Sequence, residues 1–412
     1  MDDEPKIKGE GREKSAFWKV YDFLSGFKLA TVLLLLLLLL TWLATLEQID
    51  YGLYPTLKKY FSWESPYLIP DMVPEINGKK LPFFLPGGYY VCALLLVNMI
   101  LGGIVRIRKG PKQIGNIISH FGIVFMLIAG GVAHHFSERG NMAVGEGEMA
   151  DTAEDYFEYV IEVAEVKDDK RDEFHVIRGE YLTDLGGGNS RIFDFKEIPF
   201  SLKVSGYLKN AVPVSALERA PSEGQLVTDG YYLAFQPSGV NAEANMAGAY
   251  AQVIFEDGQK SAPFILAGAS FQPFTVRDGD RVFTVDMRKR LWPMPFKVEL
   301  DTFSAKFHPG TSRPAKFVSD IRRVENGQES KVRIQMNEPM RYEGLTFFQA
   351  SYGPPGAGPG DRMYSVFEVV KNPADKWPEY SLYVVSFGML VTFLTKLGGH
   401  LGAASRKRKK HA

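Results

Sequence analysis

The stretch Ile114 to Phe136, IGNIISHFGIVFMLIAGGVAHHF, holds no Lys, Arg, Asp or Glu and carries His120 inside its apolar run. At about 1.5 Å per residue, a helix of this length is roughly 34 Å long, enough to cross a hydrocarbon core of about 30 Å. The stretch therefore predicts a transmembrane helix with an ionisable side chain at membrane depth. Such side chains are rare and mark functional sites by default, which makes His120 the first candidate site residue. The competing structural reading is a neutral imidazole satisfied by a neighbouring helix. Gly115, Ser119 and Gly122 fall at i, i+4 and i+7, a small-residue face that lets another helix approach closely.

Working outward, the connector 106–113, RIRKGPKQ, carries four basic residues and no acid. Before it, residues 86–105 form a second apolar span whose main polar interior residue is Asn98. Residues 47–85 mix Pro, Tyr and charge, and read as an extracytoplasmic loop with room for one short helix. The first span, 29–46, includes an unbroken Leu33 to Leu40 and stops at Glu47. It is about 18 residues long, longer than a signal-peptide h-region, so it is expected to stay in the membrane as an anchor. Residues 1–28 place Phe17, Trp18, Tyr21 and Phe23 among Lys19, Asp22 and Lys28, as an interfacial segment at headgroup level does.

Beyond Phe136 the character changes. Residues 137–379 contain alternating runs such as YFEYVIEVAEV and FSLKVSGYL, with EDGQ at 256–259 and ENGQ at 325–328 between strand-like flanks. These predict antiparallel hairpins in a large β-rich domain. A fourth span covers 380–397, where Lys396 can snorkel to the interface, and a basic tail follows at 398–412. The fold class is thus a membrane protein of four transmembrane helices, three N-terminal and one C-terminal, with a β-rich extracytoplasmic domain between the third and fourth.

Charge sets the expected orientation. The connector and the tail are basic and acid-free, whereas the 47–85 loop has four Lys against five acids. The positive-inside rule puts both termini and the connector in the cytoplasm and the β-rich domain outside the inner membrane. His120 then lies about 9 Å of helix rise from the cytoplasmic start of its span.

Composition excludes several function classes. Lys plus Arg and Asp plus Glu both number 48, so no global charge argues for nucleic acid. The mean hydropathy is −0.11, so a large polar part must dilute the spans. The lone cysteine, Cys92, rules out an intrachain disulfide, a zinc cluster and a dithiol pair, and no C-x-x-C-H is present. There is no P-loop, GxSxG, HExxH or dinucleotide fingerprint. His175 and His308 sit in polar contexts without spaced partners, and no carboxylate pair marks acid–base catalysis, so no catalytic residue is assigned. The chemistry rests with the membrane histidines. Neutral imidazole ligates heme iron or donates to a propionate or quinone oxygen, and His120 fits one such role. His134 and His135, at the outer end of the same span, read either as wetted interfacial residues or as a second heme or partner contact. His400 reads as solvated.

Taken in order, SGFKLATVLLLLLLLLTWLATL in the first span, SHFGIVFMLIAGG in the third, VGEGE at 144–148, PFKVELDTF ending at Phe303 and NEPMRYEGLTFFQASYG at 337–353 resemble the ResB (also CcsB) family of System II cytochrome c biogenesis. The resemblance covers essentially the whole chain. It implies a subunit, not an autonomous enzyme, working with a CcsA/ResC-type membrane partner to export heme b in transit and attach it to the CxxCH motifs of apocytochrome c. It also implies that His120 is the transmembrane axial ligand of heme iron, while the partner supplies the second ligand and the external site. Thiol reduction is left to a separate thioredoxin-like protein, and membrane lipid is the surrounding medium. Two other readings compete: a b-type heme redox subunit exchanging electrons with quinone, which needs a second histidine at matching depth, and a cofactor-free membrane scaffold.

Overall fold

A computed structural model describes residues 15–69, 72, 84–168, 170–270, 272–311, 314–354 and 361–410, with Pro314 and the last seven of these as backbone only. It divides into two units, one formed by residues 1–136 with 373–412 and the other by residues 137–372. Of the segments expected at 1–28 and 47–85, residues 1–14, 70–71 and 73–83 lie outside the described residues.

In the first unit, four helices are long and apolar enough to cross a membrane: Phe27–Tyr51, Gly88–Val105, Ile114–Phe136 and Trp377–Ala403. The N-terminal three do not simply follow one another. Short helices α1 (Ala16–Leu24) and α3 (Leu53–Phe61) bracket α2 (Phe27–Tyr51). Next come α4 (Gly88–Asn98), prolonged by a π-helical stretch Met99–Val105, then α5 (Ile114–Phe136) and, after the β-rich unit, α6 (Trp377–Lys410). α1 leaves Phe17, Trp18, Val20 and Phe23 exposed, the apolar surface an interfacial helix would bury in headgroups.

Two helices outrun their apolar segments. α2 continues past Glu47 to Tyr51 because Glu47 is buried and paired with Lys59 and Tyr60 of α3, so its charge does not end the helix. α6 continues to Lys410, across Gly398, Gly399 and Gly402 and into a basic run of Lys and Arg, residue types that favour helix.

The second unit is built from antiparallel strands. Its larger sheet runs in the order Gln328–Gln335, Pro314–Glu325, Arg281–Phe307, Met149–Lys167, Glu138–Gly145, Tyr364–Lys371, Leu345–Gly353, Met340–Tyr342. Phe274–Asp278 and Lys170–Ile177 pair with its two longest strands, Arg281–Phe307 and Met149–Lys167. A four-stranded sheet runs Phe264–Ala267, Gly248–Phe255, Phe200–Leu208, Ser190–Phe193, and Ala211–Ser215 pairs with Tyr231–Phe235.

The long strands serve two cores. Around Tyr159, Ile161, Val163, Phe283 and Val285 they meet Phe200, Leu202, Val204 and Val253 of the smaller sheet. Around Ala153, Phe296, Val298 and Leu300 they meet Met142, Ile321, Ile334, Phe347 and Phe367. Register breaks between Lys289 and Leu291 and between Pro293 and Val298 fall where one core gives way to the other, as bulges that bend a strand do. In the second core, Ser319 donates to Gln349 at 2.6 Å and lies 2.9 Å from Ser365, tying together strands that are not neighbours in the sheet. Both quoted hairpin turns form: Asn326 and Gly327 take φ of 49° and 79°, and Gly258 takes 81° while Phe255 N–H donates to Gln259 at 2.9 Å.

Candidate functional site

The site is assembled on α5. Its small face packs against α6, which runs antiparallel to it. A Cβ on Gly115 would lie 2.5 Å from Thr392 N, one on Gly122 3.0 Å from Val385 N, and one on Gly388 2.5 Å from Ser119 N. The close approach brings short hydroxyl side chains of each helix within reach of the other. Ser381 Oγ, fully buried, donates to Gly122 O at 2.8 Å, Ser119 Oγ to Val385 O at 3.3 Å, and Thr392 Oγ1 to Asn116 Oδ1 at 3.1 Å. Phe125 stacks on Trp377 at 5.4 Å. Such interhelical hydrogen bonds contribute about 0.6 kcal/mol each in a bilayer, so close packing carries most of the association.

His120 lies on another face of α5, against the π-helical end of α4. Its Nδ1 is 3.0 Å from Gly103 O. A carbonyl only accepts, so Nδ1 carries the proton and donates, which leaves the Nε2 lone pair as the basic site of the neutral ring. Nε2 makes no hydrogen bond among the described residues, and the residue is half-buried.

The fit depends on glycine: a Cβ at Gly103 would lie 3.0 Å from His120 Cγ and 3.2 Å from Nδ1. It depends on the π turn as well. Arg106 N–H donates to Leu101 O, five residues back, at 2.9 Å. π turns inside α-helices recur at functional sites, and the carbonyls of a final turn lack helical donors. Gly103 O is one of these, and His120 supplies its donor.

The same π stretch is braced from its other side. A Cβ at Gly102 would lie 2.6 Å from Ser25 O. Asn98, buried, donates from Nδ2 to Leu24 O at 2.6 Å and Gly26 O at 3.1 Å. Arg106 donates to Ser25 Oγ at 2.8 Å and lies 3.4 Å from Asp22. The link between α1 and α2 is thus fastened to the segment that holds His120.

His134 and His135 occupy the far end of α5 and are exposed. Their rings are 5.0 Å apart, both lie within 6 Å of the Tyr89 ring, and Tyr89 OH is 3.1 Å from His135 Nε2. His134 is 14 residues from His120, about 21 Å along the helix. The two cannot ligate one iron. Near this end, Glu47 is held by Lys59 Nζ and by Tyr60 OH at 2.8 Å. Burial, then the bond to Glu47, pushes the Tyr60 phenol far above its ordinary value. Removing either partner would leave a buried carboxylate short of compensation, a change that costs about 3–5 kcal/mol.

Among the described residues, the remaining histidines are not brought to this site. His175 sits edge-on to Phe195 at 5.8 Å in the β-rich unit, and His308 and His400 are exposed. Among the described residues no three of His, Cys, Asp or Glu gather as a metal group, and Cys92 is a free thiol. What the helical unit offers a heme is one imidazole with a fixed tautomer. Metal-ligating histidines characteristically donate their other ring N–H to a carbonyl or carboxylate, as His120 does. Gly103 escaped a reading of the sequence, although the pair Gly102–Gly103 in an apolar span was a visible signal of close backbone approach.

Residues 244–360 match the ResB-like family. Over 62 residues the chain is 36% identical to Protein NrfI of Wolinella succinogenes, an alignment that covers 15% of this chain and 7% of that protein.

Proposed function

We propose that this chain, which belongs to the ResB-like family, is a membrane subunit of a cytochrome c synthase that passes heme across the bilayer to apocytochrome c. The observation that supports this reading is the His120 Nδ1–H donation to Gly103 O, with Nε2 left open. An imidazole of fixed tautomer at membrane depth suits transient ligation of heme iron as substrate. The second ligand would come from a CcsA/ResC-type partner, as would the external site of thioether formation, while the β-rich unit positions apocytochrome or braces the partner. The chain's contribution is to capture and orient the heme. A resident b-type heme held by His120 with His134 or His135 finds no support, because the latter two lie at the other end of α5.

The test is complementation of a strain lacking this gene. His120→Ala, with the complex still assembling, is expected to abolish co-purified heme and holocytochrome c. Normal cytochrome maturation would reject heme ligation by His120 and favour a scaffold.

A further inference from the structure

We propose that Lys109 receives a propionate of the heme whose iron His120 ligates, so that two consecutive carbonyls at the end of α4 organise both contacts. This rests on the heme-handling reading above and deepens it. The π stretch ends at Val105, leaving its last carbonyls without helical donors. Gly103 O accepts His120 Nδ1–H, and Ile104 O accepts from Lys109 Nζ. A ligand for iron and a cation for a carboxylate are therefore anchored one residue apart.

Of the basic residues in the connector, Arg106 is engaged by Asp22 and Ser25. Lys109 is exposed and has no carboxylate partner among the described residues. An ammonium has three donors, and the bond to Ile104 O uses one. Iron protoporphyrin carries two propionates on one edge of an otherwise apolar macrocycle. A macrocycle ligated within the apolar span must turn that edge toward a cation or toward water. The connector is the basic segment nearest to His120 in the chain, and Lys109 is its one member fixed beside Gly103. Charge-assisted hydrogen bonds of this kind are roughly twice as strong as neutral ones. Two other roles would account for the ammonium: neutralising the negative end of the α4 dipole, or contacting lipid headgroups.

The test titrates the full-length chain in neutral phosphatidylcholine nanodiscs with hemin and with hemin dimethyl ester, whose propionates carry no charge, following the Soret band. Wild type is expected to bind hemin about five- to tenfold more tightly than the ester. Lys109→Gln should erase that ratio by weakening hemin alone, and Lys109→Arg should keep it. An unchanged ratio in Lys109→Gln, or no preference in wild type, overturns the proposal. If Lys109→Gln matters only in phosphatidylglycerol discs, the ammonium serves headgroups and the proposal also falls. The parent reading fails separately, when His120→Gly leaves both titrations unchanged.

Discussion

The two ends of α5 carry the same residue type in different circumstances. At one end, His120 gives its Nδ1 proton to a backbone carbonyl of α4 and keeps Nε2 open. At the other, His135 Nε2 is already engaged by the Tyr89 hydroxyl, and both His134 and His135 are exposed. A backbone carbonyl is a fixed acceptor that dictates the tautomer. A hydroxyl rotates and can either donate or accept, so it dictates nothing. The two ends thus differ in the partner on the ring nitrogen, a fixed carbonyl for His120 and a rotatable hydroxyl for His135.

That contrast breaks most readily by exchanging the ends. His120→Ala is expected to remove essentially all co-purified heme, whereas His135→Ala should retain it, as read by pyridine hemochrome on the purified complex; equal losses would erase the distinction. Gly103→Val comes next. Its Cβ would fall 3.0 Å from His120 Cγ, displacing the ring from its orienting carbonyl, and losing the group that orients a ligating histidine costs about 10–100-fold in metal affinity. Heme affinity measured by Soret titration should fall within that range while the protein stays folded. Gly388→Val probes the opposite face of α5, where a Cβ would meet Ser119 N at 2.5 Å. Overpacking should cost about 1–3 kcal/mol, seen as a lower melting temperature in detergent, with residual folded protein still binding heme. Smallest is Tyr89→Phe, which removes one exposed hydrogen bond worth about 0.5–1.5 kcal/mol; it should leave heme content unchanged, and a large loss would make the outer cluster a heme contact.

Hydropathy and alternation made the four apolar helices and the β-rich region legible, because both signals are local. His120 stood out for the same reason, as an ionisable residue in a charge-free run. What the sequence hid was long-range. The small face of Gly115, Ser119 and Gly122 announced a helix neighbour, but α6 lies some 266 residues on at the Ser119–Val385 contact. Glu47 read as the end of a span, since a carboxylate is normally excluded from one. Lys59 and Tyr60 of α3 neutralise it, and the helix runs to Tyr51. Gly103 became meaningful only once the helix hairpin brought it to His120, 17 residues later.

The most direct test of the central claim is the absorption spectrum of the purified chain loaded with hemin, wild type against His120→Gly, without and with added imidazole. The account predicts the Soret maximum of imidazole-ligated heme in wild type, its shift to that of unligated hemin in His120→Gly, and its return when imidazole fills the space left by the side chain. A wild-type spectrum from His120→Gly in the absence of imidazole would contradict it.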